Sequence, residues 1–141
     1  MVYSRKHITP IQIRFNDIDI AGHANNAVYM EYSDLAKMNY FNDVFKNTIN
    51  WKKKGFVLAH ISLDYAEPIY LDEEIVIETT VQKIGDKSLE LLQTVREKNT
   101  KGDNGIKCVI KSIMVAYHYV EKHSISIEKE WKKDLNSFDN L

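Results

Sequence analysis

The stretch Asp17-Ile-Asp-Ile-Ala-Gly-His-Ala-Asn-Asn26 lies directly before the longest helical pattern of the chain, which covers about Ala27 to Phe41. It gathers two carboxylates, one glycine and three polar side chains at the predicted helix start. A helix N-terminus carries unpaired backbone N–H groups and a partial positive charge. The stretch therefore predicts where the first strand gives way to the helix, and it marks the place where polar chemistry is concentrated.

The segments on either side of this stretch have different periodicities. Apolar and polar residues alternate from Ile8 to Phe15, which predicts a strand. In the helix that follows, the spacing of the apolar residues predicts one broad apolar face, made by Val28, Tyr29, Tyr32, Leu35, Ala36 and Tyr40. Its other side carries Glu31, Asp34 and Lys37, with further apolar residues between them. A helix that is apolar most of the way round needs partners on more than one side.

The second half of the chain is dominated by strands. A period of two starts at Val57, and Pro68 interrupts it. Val57, Ala59, Ile61, Leu63 and Tyr65 alternate there with Leu58, His60, Ser62 and Asp64. The pattern then predicts strands over Glu74–Ile84, Lys87–Lys98 and Ile106 to about Val120, with turns at Gly85-Asp86 and Gly102–Gly105, and a short helix over Ile127–Leu135. We therefore expect an α+β fold in one domain, residues 1–141. A long helix would pack on a curved antiparallel sheet of about five strands.

The last strand is apolar on both faces. One face carries Val109, Ile113, Val115, Tyr117 and Tyr119, and the other carries Ile106, Cys108, Ile110, Met114 and Ala116. A single long helix covers one face of a sheet, so the second face needs another partner. This pattern predicts a homo-oligomer.

Composition excludes several function classes. The formal net charge is -1, and the basic residues are spread along the chain, which gives no footprint for nucleic acid. No apolar run reaches the length of a membrane span, and the N-terminal segment lacks the apolar stretch of a signal peptide. Cys108, the only cysteine, lies in an apolar alternation and is expected to be a buried, inert thiol. These features predict a cytoplasmic protein.

The polar stretch itself suggests acyl chemistry. Asp17 and Asp19 would point the same way in an extended segment, and Gly22 would allow a sharp turn and a close backbone approach to a ligand. His23, Asn25 and Asn26 would supply polar groups at the helix start. A carboxylate there could attack an acyl carbonyl or activate water, and the helix N–H groups could stabilise the oxyanion.

Other chemistries fit the same residues poorly. A calcium loop would need a bidentate Glu at its twelfth position, where Val28 stands. A transition-metal site from Asp17, Asp19 and His23 lacks a second nearby His or Cys. The sequence contains no serine-hydrolase elbow, no P-loop and no dinucleotide fingerprint, so we expect neither a metal nor a cofactor.

The run from Phe15 to Tyr29 resembles the D-x-D-x-x-G-H-x-N-N-x-x-Y signature of hotdog-fold thioesterases, in particular the 4-hydroxybenzoyl-CoA thioesterase-like group. Asp64-Tyr-x-x-Pro68 is similar to the end of that family's second strand. The resemblance implies a helix wrapped by a sheet, with sites at the dimer interface. It also implies hydrolysis of acyl-CoA or acyl-carrier-protein thioesters without metal, in a homodimer or a dimer-of-dimers tetramer.

The resemblance also implies a role for each residue of the motif. Asp19 corresponds to the catalytic carboxylate, either as nucleophile or as general base, and the backbone N–H near Asn26 corresponds to the oxyanion donor. The substrate-binding set is Asp17, Gly22, His23, Asn25 and Tyr29, in which Asp17 orients the loop. For Asp17, His23 and Tyr29, purely structural roles in a turn or in the core remain open alternatives.

Three other functions compete with acyl-CoA hydrolysis. An acyl-carrier-protein thioesterase would need basic surface, for which Lys52-Lys-Lys54 is a weak candidate. A non-catalytic acyl-thioester-binding protein would keep the motif for structure alone. A hotdog dehydratase would carry a Pro-Gly turn after its His, which Gly22-His-Ala-Asn-Asn26 lacks.

Overall fold

The computed structural model describes residues 5–139, which form one antiparallel sheet and two helices. The first half contains strand β1 (His7–Ile11), a single 3-10 turn (Phe15–Asp17) and helix α1 (Val28–Phe45). The second half contains β2 (Lys54–Tyr65), β3 (Ile75–Ile84), β4 (Ser88–Glu97), β5 (Ile106–His118), the two-residue β6 (His123–Ser124) and helix α2 (Lys129–Asp139).

The sheet has the order β1-β3-β4-β5-β2, and β6 adds to β5. Every neighbouring pair is antiparallel, so short turns connect β3 to β4 and β4 to β5. Helix α1 packs its buried side chains on one face of this sheet. This arrangement confirms the α+β expectation, with five long strands and one short addition.

Two apolar clusters lie between α1 and the sheet. One surrounds the C-terminal half of α1 and is aromatic, with Tyr40, Phe41, Phe45, Phe56 and Trp131 among its members. The other surrounds the N-terminal half and includes Tyr29, Tyr32, Ile77, Val95 and Ile110. A buried polar contact divides them: the Ser33 hydroxyl donates to Gln93 Oε1 at 2.6 Å. Gln93 lies on β4 between Leu91 of the first cluster and Val95 of the second.

The boundaries of three elements differ from the predicted ones. The first strand ends at Ile11 rather than Phe15, because the chain turns at Phe15–Asp17 to bring the Asp17 carboxylate back to Arg14. Helix α1 continues one turn past Phe41 to Phe45, because the side chains of Val44 and Phe45 are buried in the hydrophobic core. The closing helix begins and ends later than Ile127–Leu135.

The predicted helix face was wrong at two positions. Leu35, assigned to the buried face, is 41% exposed, whereas Lys37, assigned to the polar side, is 4% exposed. Lys37 lies one turn from both Ser33 and Phe41, which face the sheet. Because apolar residues surround most of α1, periodicity marks the inward stripe poorly.

The predicted alternation along β2 is interrupted by a bulge between Leu58 and His60. Val57 pairs with Val115 on the outer face, but Ile61 pairs with the buried Ser112 on the inner face. A bulge inserts one residue and reverses the facing of those that follow. The single face proposed for Val57 through Tyr65 is therefore wrong before Ile61.

The two faces of β5 are buried to different degrees. Cys108, Ile110 and Met114 are buried beneath α1, while Val109, Ile113 and Val115 are only half-buried on the other face. The oligomer inferred from this strand stays a prediction. Neither helix within residues 5–139 is long and apolar enough to cross a membrane.

Candidate active site

The motif loop is folded as a tight turn between two short antiparallel segments. Ile18 and Ala24 form an isolated bridge, and the Asp19 N–H donates to the His23 carbonyl at 3.1 Å. The Gly22 N–H donates back to the Asp19 carbonyl at 3.0 Å, with Gly22 at φ +88°. That φ favours glycine, so the expected sharp turn is confirmed.

Asp17 is buried inside the loop rather than presented beside Asp19. Its carboxylate accepts hydrogen bonds from the Arg14 backbone at 3.0 Å, the Arg14 guanidinium at 2.9 Å and the Tyr32 hydroxyl at 2.7 Å. Burial opposes ionisation, but these hydrogen bonds outweigh it and hold the pKa of Asp17 below its ordinary value. Asp17 therefore connects the motif loop to Arg14, which follows β1, and to Tyr32 on α1.

The expectation that Asp17 and Asp19 point the same way is wrong. The 3-10 turn at Phe15–Asp17 ends the extended geometry on which that expectation rested. Asp19 is half-buried, and one of its oxygens accepts the Ala21 N–H at 2.9 Å. Its second oxygen has no hydrogen-bond partner within residues 5–139. One carboxylate is thus fully engaged, and the other keeps an oxygen available.

The start of α1 leaves a backbone donor unused. The Asn25 side chain accepts the Ala27 N–H at 2.9 Å, and the Val28 N–H donates to the Asn25 carbonyl at 3.0 Å. The Asn25 N–H donates to the Asp17 carbonyl at 2.8 Å. For the Asn26 N–H, the described part of the chain offers no acceptor. This free donor lies just before α1, which begins at Val28, and the positive end of the helix dipole there favours negative charge.

A cavity of about 170 Å³ adjoins this donor. The motif contributes His23, Ala24, Asn26 and Tyr29 to its lining, and the segment after β2 contributes Tyr65, Ala66, Glu67 and Pro68. Asp17, Asp19, Gly22 and Asn25 do not line it. Three of the seven proposed site residues therefore meet at the cavity, and the other four belong to the loop beside it.

Tyr29 packs in the core and also borders the cavity. It is 2% exposed within the core cluster, and it also lines the cavity. Burial raises the pKa of its hydroxyl to about 12, so Tyr29 stays protonated at neutral pH. His23 is half-buried and meets the Tyr70 ring edge-on at 6.2 Å.

Tyr65 and Glu67 also line the cavity, although neither belongs to the Asp17–Tyr29 motif. The Tyr65 hydroxyl donates to the Asn26 carbonyl at 3.0 Å, and its ring meets Tyr29 edge-on at 5.0 Å. Both residues belong to the Asp64-Tyr-x-x-Pro68 segment already noted for its resemblance, which was the available signal. Cys108 is buried as expected, and burial raises the pKa of its thiol to about 11.

Within residues 5–139, no group of three or more His, Cys, Asp or Glu side chains is arranged to hold a metal ion. The motif loop and the cavity beside it offer a carboxylate oxygen of Asp19 without a partner, the Asn26 N–H just before α1, and an aromatic wall made by Tyr29 and Tyr65. Such a set of groups suits the addition of a nucleophile to a carbonyl carbon.

The fold and this loop define a protein of the hotdog thioesterase class. Residues 13–135 match the thioesterase-like superfamily, and the chain belongs to that superfamily. The long-chain acyl-CoA thioesterase FadM of Escherichia coli (strain K12) is 27% identical over 90 residues, which cover 62% of this chain and 67% of FadM.

Solved structures confirm the hotdog fold. A predicted thioesterase from Bacillus stearothermophilus superposes with a TM-score of 0.83 at 18% identity, covering 94% of this chain and 96% of that one. A Thermus thermophilus thioesterase, complexed with coenzyme A and zinc, superposes with a TM-score of 0.81 at 22% identity, covering 95% and 94%.

Proposed function

We propose that Asp19 and the Asn26 N–H carry out the reaction of this thioesterase, hydrolysis of an acyl-CoA to a free acid and CoA. The observation that carries the assignment is the pairing of a carboxylate oxygen without a partner and a helix-start N–H without an acceptor in one loop. The acyl-CoA substrate is supported by the name of the E. coli relative and by the coenzyme A bound to the Thermus protein.

The reaction needs two contributions from the protein. With Asp19 as general base, the carboxylate takes a proton from water while the water oxygen bonds to the thioester carbon. The Asn26 N–H donates to the resulting oxyanion, which the helix dipole also stabilises. The C–S bond then breaks, and the proton held by Asp19 passes to the departing CoA sulfur. With Asp19 as nucleophile, a carboxylate oxygen bonds to the thioester carbon and the C–S bond breaks, which gives an acyl anhydride and a CoA thiolate. Water then hydrolyses the anhydride to the free acid and the Asp19 carboxylate, and the proton released in this step restores the CoA thiol.

A second copy of the chain is part of this proposal. The cavity of about 170 Å³ is smaller than the roughly 300–1,000 Å³ of common ligand sites, and Asp19 does not line it. Edge strand β2 exposes Leu58 at 41% and Tyr65 at 50%, and Tyr65 also lines that cavity. The protein would act as a homodimer or a dimer-of-dimers tetramer in which a second β2 edge completes the site.

The remaining parts of the proposal concern setting and extent. A lone buried thiol suits the reducing cytoplasm, where we place the protein. Residues 1–141 would act as a single thioesterase domain. An acyl-carrier-protein substrate is the alternative, and equal acyl groups presented on CoA and on the carrier protein separate the two.

Asp19→Asn and Asp19→Ala test the catalytic assignment. Both variants should lower kcat by about 100-fold or more on the best acyl-CoA of a panel, because the base or nucleophile is lost. Thiol release reports turnover, and Asp103→Asn in the exposed Gly102–Gly105 loop is the matched control. Wild-type turnover by either Asp19 variant would show that another group performs the reaction.

A further inference from the structure

The segment Tyr65–Pro68 forms one wall of the cavity, yet it lies at the end of β2, where regular pairing stops. Pro68 has no N–H to contribute to a strand pair. The wall must therefore be held by contacts other than a sheet ladder. Nearly all of these contacts converge on Lys107, a residue of β5 that the reaction described above does not use.

Lys107 contacts the wall through both its backbone and its side chain. Its carbonyl accepts the N–H groups of Ala66 at 2.8 Å and Glu67 at 3.2 Å. Its ammonium donates to the Pro68 carbonyl at 3.0 Å. The residue is 3% exposed, so these contacts are shielded from competing water.

The Lys107 ammonium is also surrounded by carboxylates. Glu73 lies at 2.8 Å, Glu97 at 3.1 Å and Glu67, which lines the cavity, at 3.9 Å. Burial alone lowers the pKa of Lys107, but the hydrogen bonds to Glu73 and Glu97 outweigh it and raise the pKa above its ordinary value. The Lys107 ammonium is thus held by Glu73 and Glu97 while it donates to the Pro68 carbonyl.

The wall is joined to the oxyanion donor by two further hydrogen bonds. The Ala24 N–H donates to the Ile69 carbonyl at 2.8 Å, and the Tyr65 hydroxyl donates to the Asn26 carbonyl at 3.0 Å. A displacement of the wall would therefore be transmitted to the Asn26–Ala27 peptide through Tyr65, and to the chain two residues before Asn26 through Ile69, the residue that follows the wall. Small misplacements of a donor matter because oxyanion stabilisation depends on distance and angle.

We propose that Lys107 is a positioning residue, which holds the Tyr65–Pro68 wall and thereby fixes the Asn26 N–H against the thioester oxygen. The inference rests on the proposed function, because it assigns the Asn26 N–H as oxyanion donor. A donor that acts on the oxyanion stabilises the transition state more than the bound substrate. Loss of its alignment therefore lowers kcat and changes KM little.

Lys107→Met tests this role, because it keeps the aliphatic stem and removes the ammonium. At a temperature where circular dichroism shows the variant folded, kcat should fall about tenfold or more, with KM within about threefold of wild type. Lys107→Arg keeps the charge and the donors, so it should retain more kcat than the Met variant. Lys111→Met, an exposed lysine of the same strand, is the matched control.

Glu73→Gln and Glu97→Gln extend the test if Lys107→Met does not fold. Each removes one charged anchor while Lys107 stays in place, and each should lower kcat about two- to fivefold. Wild-type kcat in folded Lys107→Met, or in both Gln variants, would overturn the inference. A loss of thermal stability without a loss of kcat below the melting temperature would do the same. The Asp19 variants decide the proposed function separately, since they leave the wall intact.

Discussion

Two lysines of this protein are almost fully buried, and their surroundings are opposite. Lys107, beside the cavity, is 3% exposed and has two carboxylates within 3.1 Å and a carbonyl at 3.0 Å. Lys37, in the middle of α1, is 4% exposed, and its ammonium has no hydrogen-bond partner within residues 5–139. The Asp34 carboxylate is 3.9 Å away and is itself exposed.

The pKa values of the two residues follow their surroundings. Burial lowers the pKa of Lys37, and Asp34 opposes this only in part, whereas Lys107 is shifted upward by its partners. Burial of an ammonium is unfavourable unless hydrogen bonds and countercharges replace the lost water. The ammonium of Lys107 thus stabilises the region of the wall, whereas the ammonium of Lys37 destabilises the centre of α1.

Removal of the Lys107 charge should give the largest stability change of the predictions here. Lys107→Met should lower the free energy of unfolding by about 3–5 kcal/mol, because it removes a buried ammonium that pairs with the partly exposed Glu73 and Glu97 and holds the Pro68 carbonyl. Denaturant unfolding followed by circular dichroism measures this, with Lys111→Met expected within about 0.5 kcal/mol of wild type. A loss below about 1 kcal/mol would show that the partners of Lys107 do not stabilise the fold, so that the two lysines would not differ as described.

Removal of the Lys37 charge should act in the opposite direction. Lys37→Met should raise the free energy of unfolding by about 1–3 kcal/mol, since it replaces an unpaired ammonium with an apolar group of similar length. The same unfolding experiment applies, and Lys133→Met on the exposed side of α2 is the control. A destabilised Lys37→Met would mean that the ammonium has an acceptor in the assembled protein, such as a group from a second copy.

The smallest expected effect is a pH dependence confined to Lys37. Its folded-state pKa lies below the ordinary value of 10.5, so the unfolded chain binds the proton more tightly. The resulting cost is complete below the folded-state pKa and disappears as the pH rises toward 10.5. The stability gap between wild type and Lys37→Met should therefore narrow between pH 7 and pH 10. If this difference in unfolding free energy stayed constant with pH, packing rather than charge would explain the stability of Lys37→Met.

Much of the fold followed from periodicity. The helix after Asn26 and the strands around Ile75–Ile84 and Ser88–Glu97 were predicted within one to four residues, because their patterns are long and their turns contain glycine. The bulge after Leu58 and the burial of Lys37 were not predicted. Both depend on which neighbour a residue meets across the sheet or beneath the helix.

The site was predicted as a set of residues but not as a geometry. His23, Asn26 and Tyr29 do meet at one cavity, as their grouping in the motif indicated. Asp17 was paired with Asp19, yet it is buried against Arg14 and Tyr32, since a 3-10 turn intervenes. Tyr65, Glu67 and Lys107 lie far from the motif in sequence, and no local pattern connects them to it.

Local chemistry was readable from the chain alone: where the helix starts, which carboxylates precede it and which family carries that motif. These features depend on neighbours within a few residues, so spacing reveals them. Which carboxylate keeps a free oxygen, which tyrosine closes the cavity and which buried lysine finds its partners were settled by folding. Those outcomes depend on contacts between segments that are distant in sequence: Tyr65 and Asn26 are 39 residues apart, and so are Lys107 and Pro68.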